Sequence, residues 1–366
     1  MDTTTGAKFT PISQSDRLFW VDFLKAISMM AVVSYHSLFL PTSAYAEIAP
    51  GVEVIFAPLR FCVPVLLSLS FFLLARSLER YPEKSRWELC RKRLFRLLIP
   101  TLFWFSIAAG LRYFGQPAER GELGLIFLQG KVFPGAYYLL VMLQLIPLAI
   151  GCDRLLQSTR STLFFFGLQA LAFVAIYLSL SQRLNPQFAA FLEIPARSCL
   201  IYWFAYLPFG IYIQRNWQNI QALSARVPPI LKVILLILVS GSFLVEFHTI
   251  YHFTNGDTAP FEYAMLSCLA SAGLFILCFA NLEADRLPDF ITATVKLISK
   301  YSLGIFCING ILSLVFLQIG NQIFTNIQFT WESIILLKLM GWVGLLSLSV
   351  FLSQLLDRLG LGNCVR

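Results

Sequence analysis

The chain has 366 residues and a formal net charge of +8; 57% of its residues are hydrophobic and only 13% are charged. A soluble domain carries about 25% charged residues, so this chain has too little polar surface to cover a soluble globule. The basic excess does not indicate a nucleic-acid partner, because Lys and Arg cluster in short connections between apolar runs. The eight cysteines are scattered and show neither a disulfide framework nor a zinc-ligand spacing, so we expect no metal. The composition predicts a multi-pass membrane protein.

Ten apolar runs approach the length of about 20 residues that a helix needs to cross the hydrocarbon core. They cover residues 19–40, 54–74, 97–114, 137–151, 163–180, 198–213, 230–247, 261–280, 301–320 and 334–356. Charged residues inside the first run distinguish it from a cleaved secretory signal, so we expect a retained helix. The sequence predicts an all-α polytopic bundle of about ten transmembrane helices, with a membrane domain over 19–356 between tails at 1–18 and 357–366.

The charges of the connections predict the orientation. The connection between the second and third runs holds eight Lys or Arg residues between positions 76 and 96. The preceding connection instead carries Glu47 and Glu53 and has no basic residue between Pro41 and Leu59. Because cytoplasmic connections are enriched in Lys and Arg, the basic connection is predicted to be cytoplasmic. With an even number of spans, both termini are then predicted to be cytoplasmic. The predicted location is the inner or plasma membrane of the cell.

Three ionisable residues, Asp22, Lys25 and His36, lie in the first apolar run. At ~100° per residue, Lys25 and His36 lie on one stripe of a helix, separated by ~16 Å along its axis. Asp22 is three residues from Lys25 and close enough for an ion pair. Ionisable residues inside a span usually face the bundle interior and mark a site. Two structural alternatives stay open: Asp22 and Lys25 snorkel to the cytoplasmic interface, or His36 is an interfacial histidine.

The stretch "DFLKAISMMAVVSYH" resembles the first-helix signature of the acyltransferase type 3 family of membrane acyltransferases. That signature is an Asp, a Leu-Arg pair, ten residues and a His. Asp22, Leu24 and His36 match it, whereas Lys25 replaces the arginine and loses its planar fork.

Three later stretches resemble the same family in the expected order. "LRFCVPVLLSLSFFLLARS" is similar to the second helix, and "RKRLFRLLIPTLFW" to the basic entry of the third. "YSLGIFCING" is similar to a late segment in which the family has Tyr and His. The residues that match the family pattern are Arg60, Val63, Pro64, Ser70, Arg93, Arg96 and Pro100. Three residues depart from it: Phe71 replaces a glycine, Phe306 replaces the tyrosine and Asn309 replaces the histidine.

The resemblance implies an O-acyltransferase that moves an acyl group, usually acetyl, from acyl-coenzyme A to a hydroxyl. The implied acceptor is a cell-surface glycan, an exopolysaccharide or a lipid-linked sugar, with membrane lipids around the protein and no nucleic acid. His36 is the candidate base or transient acyl carrier, because imidazole suits proton transfer near neutral pH.

Arginines supply the remaining predicted roles. Arg93 and Arg96, spaced i,i+3 on one helix surface, are candidates for the phosphates of coenzyme A, although juxtamembrane arginines also serve topology. Arg60 is expected to line the acceptor side with His36 and Lys25 as the catalytic set. Asp22, Ser70 and Asn309 complete the predicted site.

Two weaker features and one rival function remain. His248 and His252 stand at i,i+4, a spacing that suits a metal but lacks a firm third ligand. Lys338 lies near the outer end of the last run and is expected to snorkel. The rival function is transport or export of an exopolysaccharide, although Pro58 and Pro64 have no paired break in the second half of the chain.

Overall fold

The computed structural model describes residues 18–366 except 82–84, 116, 152–155, 157 and 325–326. Of the described residues, 83% are helical and none lies in a strand. The fold is therefore an all-α polytopic membrane bundle, as predicted. Its α-helices in the described part of the chain are α1 Phe19–Tyr35, α2 Ala49–Phe56, α3 Cys62–Arg80, α4 Arg86–Gly115, α5 Leu123–Leu128, α6 Tyr137–Gly151, α7 Thr159–Leu180, α8 Gln187–Glu193, α9 Tyr206–Arg215, α10 Trp217–Arg226, α11 Pro229–Phe253, α12 Leu266–Phe279, α13 Asp289–Lys300, α14 Ser302–Ile323, α15 Trp331–Leu356 and α16 Gly362–Val365.

Each of the ten predicted apolar runs contains one helix, but the helices differ in length. Six continuous helical segments within the described residues are long and apolar enough to cross a membrane. The other four runs correspond to α1, α6, α12 and α9, with 17, 15, 14 and 10 residues. These four are shorter than the roughly 20 residues that a perpendicular span needs, and irregular segments adjoin them.

The sixth predicted run, 198–213, is the least regular. Two 3-10 turns, Ala196–Ser198 and Leu200–Tyr202, precede α9. The buried Gln169 of α7 donates to Tyr202 O at 2.9 Å and accepts from Ala205 N at 2.7 Å. Non-helical backbone at membrane depth is tolerated only where such partners satisfy its polar groups. Gln169 supplies them here.

Burial separates inner helices from outer ones. Within the apolar windows of the segment Ala49–Arg80 and of α14, 61% of the residues are buried, against 17% for α11 and 22% for α7. Helix α1 packs against α3, α13, α14 and α15, and most of its residues are buried. The first helix therefore lies inside the bundle, where its ionisable residues meet protein rather than lipid.

The C-terminal residues, expected to form a tail, are folded against the bundle. A π-helical turn over Asp357–Leu361 leads into α16. Trp104 of α4 donates to Cys364 O at 2.9 Å, and Tyr301 donates to Asp357 Oδ2 at 2.7 Å. The C-terminal segment thus packs against α4 and α14.

Candidate active site

A cavity of about 620 Å³ lies at the end of the bundle where α1 ends and α3 begins. Its wall combines the C-terminal end of α1, the 3-10 turn Ala57–Phe61, α14 and three connections between helices. The connection charges predict that this end faces away from the cytoplasm. Its charged lining residues are Arg60, Arg112, Lys131, Glu193, Arg197, Asp257 and Glu262.

His36 follows the last residue of α1 and lines the cavity. Its carbonyl oxygen accepts a hydrogen bond of 3.1 Å from Ser313 Oγ on α14. A Cβ placed on Gly135, whose φ is +88°, would lie 3.9 Å from His36 Nε2 and 3.1 Å from the ring of Phe306. Within the described part of the chain, no protein group is hydrogen-bonded to the imidazole. The ring is therefore held by its backbone and has its nitrogens available to a ligand.

Arg60 lines the same cavity and is only 3% exposed. Its guanidinium carbon lies 4.6 Å from the ring centroid of Tyr35 and 4.2 Å from that of Phe247. Glu53 lies 4.0 Å from Nη2, while Nε and Nη1 have no hydrogen-bond partner among the described residues. Buried polar groups are nearly always satisfied, so these two donors are suited to a ligand. The structure thus brings the predicted residues His36 and Arg60 to one cavity.

Arg197 and Glu262 form an ion pair in the cavity wall that the sequence did not indicate. Arg197 Nε lies 2.5 Å from Glu262 Oε1, and the Glu262 side chain is 2% exposed. Burial alone would lower the pKa of the Arg197 guanidinium, but the adjacent Glu262 carboxylate together with the Tyr137 and Tyr263 hydroxyls outweighs burial and raises it. Glu262 Oε2 has no hydrogen-bond partner among the described residues. The wall therefore offers a ligand one carboxylate oxygen as well as the Arg60 donors.

Lys25 and Asp22, predicted with His36, are not among the residues that line the cavity. Lys25 is half-buried, and Asp22 is buried and accepts a hydrogen bond of 2.5 Å from Ser299 Oγ. Eleven residues of α-helix separate Lys25 from His36 by ~16 Å. The two side chains can therefore lie on the same face of α1 without lining the same cavity.

Ser70, Arg93 and Arg96 also lie away from the cavity lining. Arg93 Nη2 donates to Leu73 O at 2.7 Å and to Ser77 Oγ at 3.1 Å, which fastens α4 to α3. Arg96 is exposed. The i,i+3 pair is therefore split, because one guanidinium faces the protein and the other faces outward.

A polar and aromatic column connects the Arg93 region to the cavity. Arg93 Nη1 lies 3.5 Å from Ser70 O, and Ser70 Oγ lies 3.4 Å from the hydroxyl of Tyr138. The Tyr138 ring lies 5.4 Å from the ring of Phe306, which lines the cavity. Ser70 thus lies between the basic end of α4 and the cavity.

Asn309 and Phe71, two residues that depart from the family signature, are buried and packed in the bundle. Asn309 is fully buried, and its Nδ2 donates to Ile305 O at 2.8 Å and to Phe306 O at 2.7 Å. Phe71 is fully buried against α9, where a Cβ on Gly210 would lie 2.7 Å from the Phe71 Cβ. The larger side chain at position 71 is accommodated because its neighbour on α9 has none.

The remaining candidates do not join the cavity. His248 and His252 are exposed, with 3.1 Å between their Nε2 atoms, and no cluster of three potential metal ligands occurs in the described part of the chain. Lys338, expected to snorkel, is instead buried at 6% exposure. Its Nζ donates to Ser34 O at 2.8 Å, because α15 turns this side chain toward α1 rather than toward the lipid surface.

The resemblance noted in the sequence is confirmed by comparison with known families. A family model described as an acyltransferase domain matches residues 18–358. The chain belongs to the acyltransferase type 3 family. It is a membrane O-acyltransferase. No curated protein and no solved structure matches it significantly.

The position of each site residue relative to the apolar runs explains which of them could be found from the sequence. His36 and Arg60 were visible because ionisable groups are rare inside apolar runs. Arg197 and Glu262 were missed because each lies at the edge of an apolar run, where charged residues are ordinary. The sequence signal for them is that each follows a proline, Pro195 or Pro260, by two residues at the start of an apolar run.

Proposed function

We propose that this acyltransferase moves acetyl or another short acyl group from acyl-coenzyme A to a hydroxyl of a cell-surface glycan, exopolysaccharide or lipid-linked sugar. The observation that carries the proposal is the meeting of His36 and Arg60 in one cavity of about 620 Å³. That volume lies within the range of about 300–1,000 Å³ usual for small-molecule sites.

His36 acts as the general base. Its imidazole takes the proton of the acceptor hydroxyl while the hydroxyl oxygen attacks the thioester carbonyl carbon. The carbon–sulfur bond then breaks, and the coenzyme A thiolate leaves with the proton that the imidazole gives back. A base that receives and returns one proton needs no other reactant.

Arg60 supports the charge of this step. Its buried Nε and Nη1 donors lie in a cavity wall flanked by aromatic rings, where water is largely excluded. Hydrogen-bond donors in such surroundings stabilise a developing oxyanion more strongly than they do in water. In this proposal Arg60 receives either the thioester oxygen or an anionic group of the acceptor. The mechanism assigns no step to Lys25.

The donor approaches from the opposite, basic end. Arg96 is exposed on α4 just before the apolar run 97–114, and Ser70 and Tyr138 lie between that region and Phe306 at the cavity. We propose that phosphates of acyl-coenzyme A bind near Arg96 and Arg93 and that its thioester arm runs along this column. The acceptor then enters from the cavity mouth on the other face.

The test uses the purified full-length protein in lipid nanodiscs, with radiolabelled acetyl-coenzyme A and a glycan extract. Wild type and His248→Ala, which changes an exposed histidine outside the cavity, are expected to incorporate label equally. His36→Ala is expected to lose at least about 100-fold in rate, the range attributed to general-base catalysis.

Two outcomes would contradict the proposal. Label incorporation that survives His36→Ala removes this histidine from the chemistry. If the purified wild-type protein transfers no label, and cells from which the protein is deleted lose glycan export, the rival transport function is favoured.

A further inference from the structure

The turn that carries His36 is held by α14 and α15 through main-chain contacts. Ser313 Oγ of α14 donates to His36 O at 3.1 Å. Ser37 Oγ lies 3.0 Å from Lys338 O of α15 and 2.8 Å from Ser34 O, so its one hydroxyl proton is shared between these two acceptors. A Cβ on Gly341 of α15 would lie 2.1 Å from Ser37 O, so the two backbones are in direct contact. The position of the imidazole is therefore set by helices distant in sequence.

Lys338 is the charged member of this contact. Its ammonium donates to Ser34 O at 2.8 Å and lies 4.2 Å from the ring centroid of Phe56. Ser34 is in the last turn of α1, two residues before His36. Ser34 O also accepts from Ser37 Oγ at 2.8 Å and from Ser37 N at 3.4 Å. Because the carbonyls at a helix C-terminus carry partial negative charge, a cation added there is stabilising. Lys338 caps α1 from a neighbouring helix.

A buried lysine in a membrane-spanning helix is costly and needs a reason. Snorkelling does not supply one here, because the side chain is 6% exposed and its ammonium points at α1. Lys338 is also absent from the cavity lining, so it does not meet the substrates. Its ammonium instead donates to the end of α1, lies over the Phe56 ring and is attracted by the Glu53 carboxylate; of these, the contact with α1 is the one that reaches the turn carrying His36.

We propose that Lys338 is a positioning residue for His36: by capping the last turn of α1, it fixes where that helix ends and hence where the imidazole lies in the cavity. This inference rests on the proposed function, in which His36 is the base. General-base catalysis requires the base within hydrogen-bond reach of the proton, and a displacement of about 1 Å can cost a factor of about 100 in rate.

Three substitutions separate positioning from simple stability. Lys338→Met keeps length and removes donor and charge, Lys338→Gln keeps an N–H donor without the charge, and Lys338→Arg keeps both. Lys296→Met is the matched control, because Lys296 is exposed on α13. Each variant is purified in nanodiscs and checked for a single monodisperse species.

The first readout is acetyl transfer to the glycan extract. Lys338→Met is expected to lower kcat about 10- to 100-fold, with the KM for acetyl-coenzyme A changed less than about twofold. Lys338→Gln should fall between it and wild type. Lys338→Arg should recover most of the activity, and Lys296→Met should match wild type.

The second readout does not depend on turnover. Diethyl pyrocarbonate modifies the chain's three histidines, and mass spectrometry gives the rate at His36 relative to His248 and His252. Release of the capped turn is expected to raise that ratio at least about threefold in Lys338→Met and to leave it unchanged in Lys338→Arg. The rates at His248 and His252 themselves should not change, which reports an intact fold.

The outcomes distinguish the two proposals. A ratio that stays at the wild-type value in both Lys338→Met and Lys338→Gln overturns the positioning role, whatever the activity does. Activity that survives His36→Ala overturns the proposed function, while the modification ratio still reports whether Lys338 holds the turn. If Lys338→Met does not fold, Lys338→Gln decides both readouts.

Discussion

Arg197 and Glu262 join two separate connections of the chain inside the cavity wall, with 2.5 Å between Arg197 Nε and Glu262 Oε1. Arg197 precedes α9, and Glu262 precedes α12. The indole of Trp203 donates to Arg197 O at 2.8 Å, which fixes the backbone next to the pair. The ion pair therefore helps to hold the two connections together in the cavity wall, alongside the contact of 4.9 Å between the Trp203 and Tyr263 ring centroids.

Removing one partner of this pair is expected to destabilise the protein more than removing both. Glu262→Ala leaves the Arg197 cation without its carboxylate. Because the Arg197 side chain is 34% exposed and partly screened by solvent, the loss should be about 1–3 kcal/mol of unfolding free energy, below the value for a fully buried pair. The double variant Arg197→Met/Glu262→Leu leaves no uncompensated charge and should cost less. Thermal unfolding in detergent micelles measures the difference.

The control for this experiment is Glu283→Ala, which breaks the exposed Arg286–Glu283 pair of 3.5 Å. Surface pairs contribute about 0–1 kcal/mol, so this variant should unfold close to wild type. A double variant that is less stable than Glu262→Ala would show that the pair contributes more than it costs to bury.

Arg60→Lys is expected to lower acyl transfer about 10- to 100-fold even though it keeps the positive charge. The planar guanidinium packs between Tyr35 and Phe247 and keeps two buried donors for a ligand, and an ammonium cannot reproduce either feature. Rates of label incorporation into the glycan extract, per amount of folded protein, measure the effect. Arg286→Lys, at an exposed position, should leave the rate unchanged; wild-type activity in Arg60→Lys would take Arg60 out of the site.

The helices and half of the site could be predicted from the sequence because apolar length and buried charge are local signals. His36 and Arg60 each contrast with apolar neighbours, and each lines the cavity. Lys25 is likewise a charged residue among apolar neighbours, but it does not line the cavity. Helix geometry fixes its distance from His36, whereas the residues that pack around it depend on other helices. The local pattern therefore identifies ionisable residues inside the bundle without saying which of them meet.

Contacts between distant segments could not be predicted. Lys338 is 304 positions from Ser34, and nothing in "IILLKLMGW" shows that α15 turns this residue toward α1. The break before α9 depends in the same way on Gln169, a residue of another helix. Pairings of this kind arise from helix packing, which a single sequence does not encode in any spacing.

Gly341→Ala is expected to reduce transfer, whereas Gly344→Ala, about one turn later on α15, is not. The added Cβ would lie 2.1 Å from Ser37 O, so α15 or the turn that carries His36 must move. A Cβ on Gly344, three residues further along α15, would have nothing within 4 Å. A kcat that falls in Gly341→Ala and not in Gly344→Ala supports close packing of α15 on that turn, and equal rates would contradict it.

Glu246 of α11 should contribute to stability rather than to chemistry. Its carboxylate accepts hydrogen bonds from Leu266 N at 3.1 Å and Ser267 N at 2.8 Å, the first free donors of α12. Glu246→Ala leaves these donors without an acceptor at the positive end of the helix and should cost about 1–3 kcal/mol. Thermal unfolding in detergent checks the loss against Asp285→Ala, an exposed carboxylate that should have no effect. A rate of transfer per folded molecule that falls in Glu246→Ala would contradict a purely structural role.

Arg96 and Arg93 are expected to respond differently to substitution, although both match the family signature. Arg93 already donates to Leu73 O and Ser77 Oγ, so Arg93→Ala should lower the unfolding temperature as well as activity. Arg96 is exposed, so Arg96→Ala should leave stability unchanged and raise the KM for acetyl-coenzyme A about 5- to 10-fold, the size of one lost charge-assisted contact to phosphate. Lys92→Ala is the matched control at an exposed position four residues away. An equal rise in KM for Arg96→Ala and Lys92→Ala would mean that the donor responds to the basic surface as a whole and not to a phosphate site at Arg96.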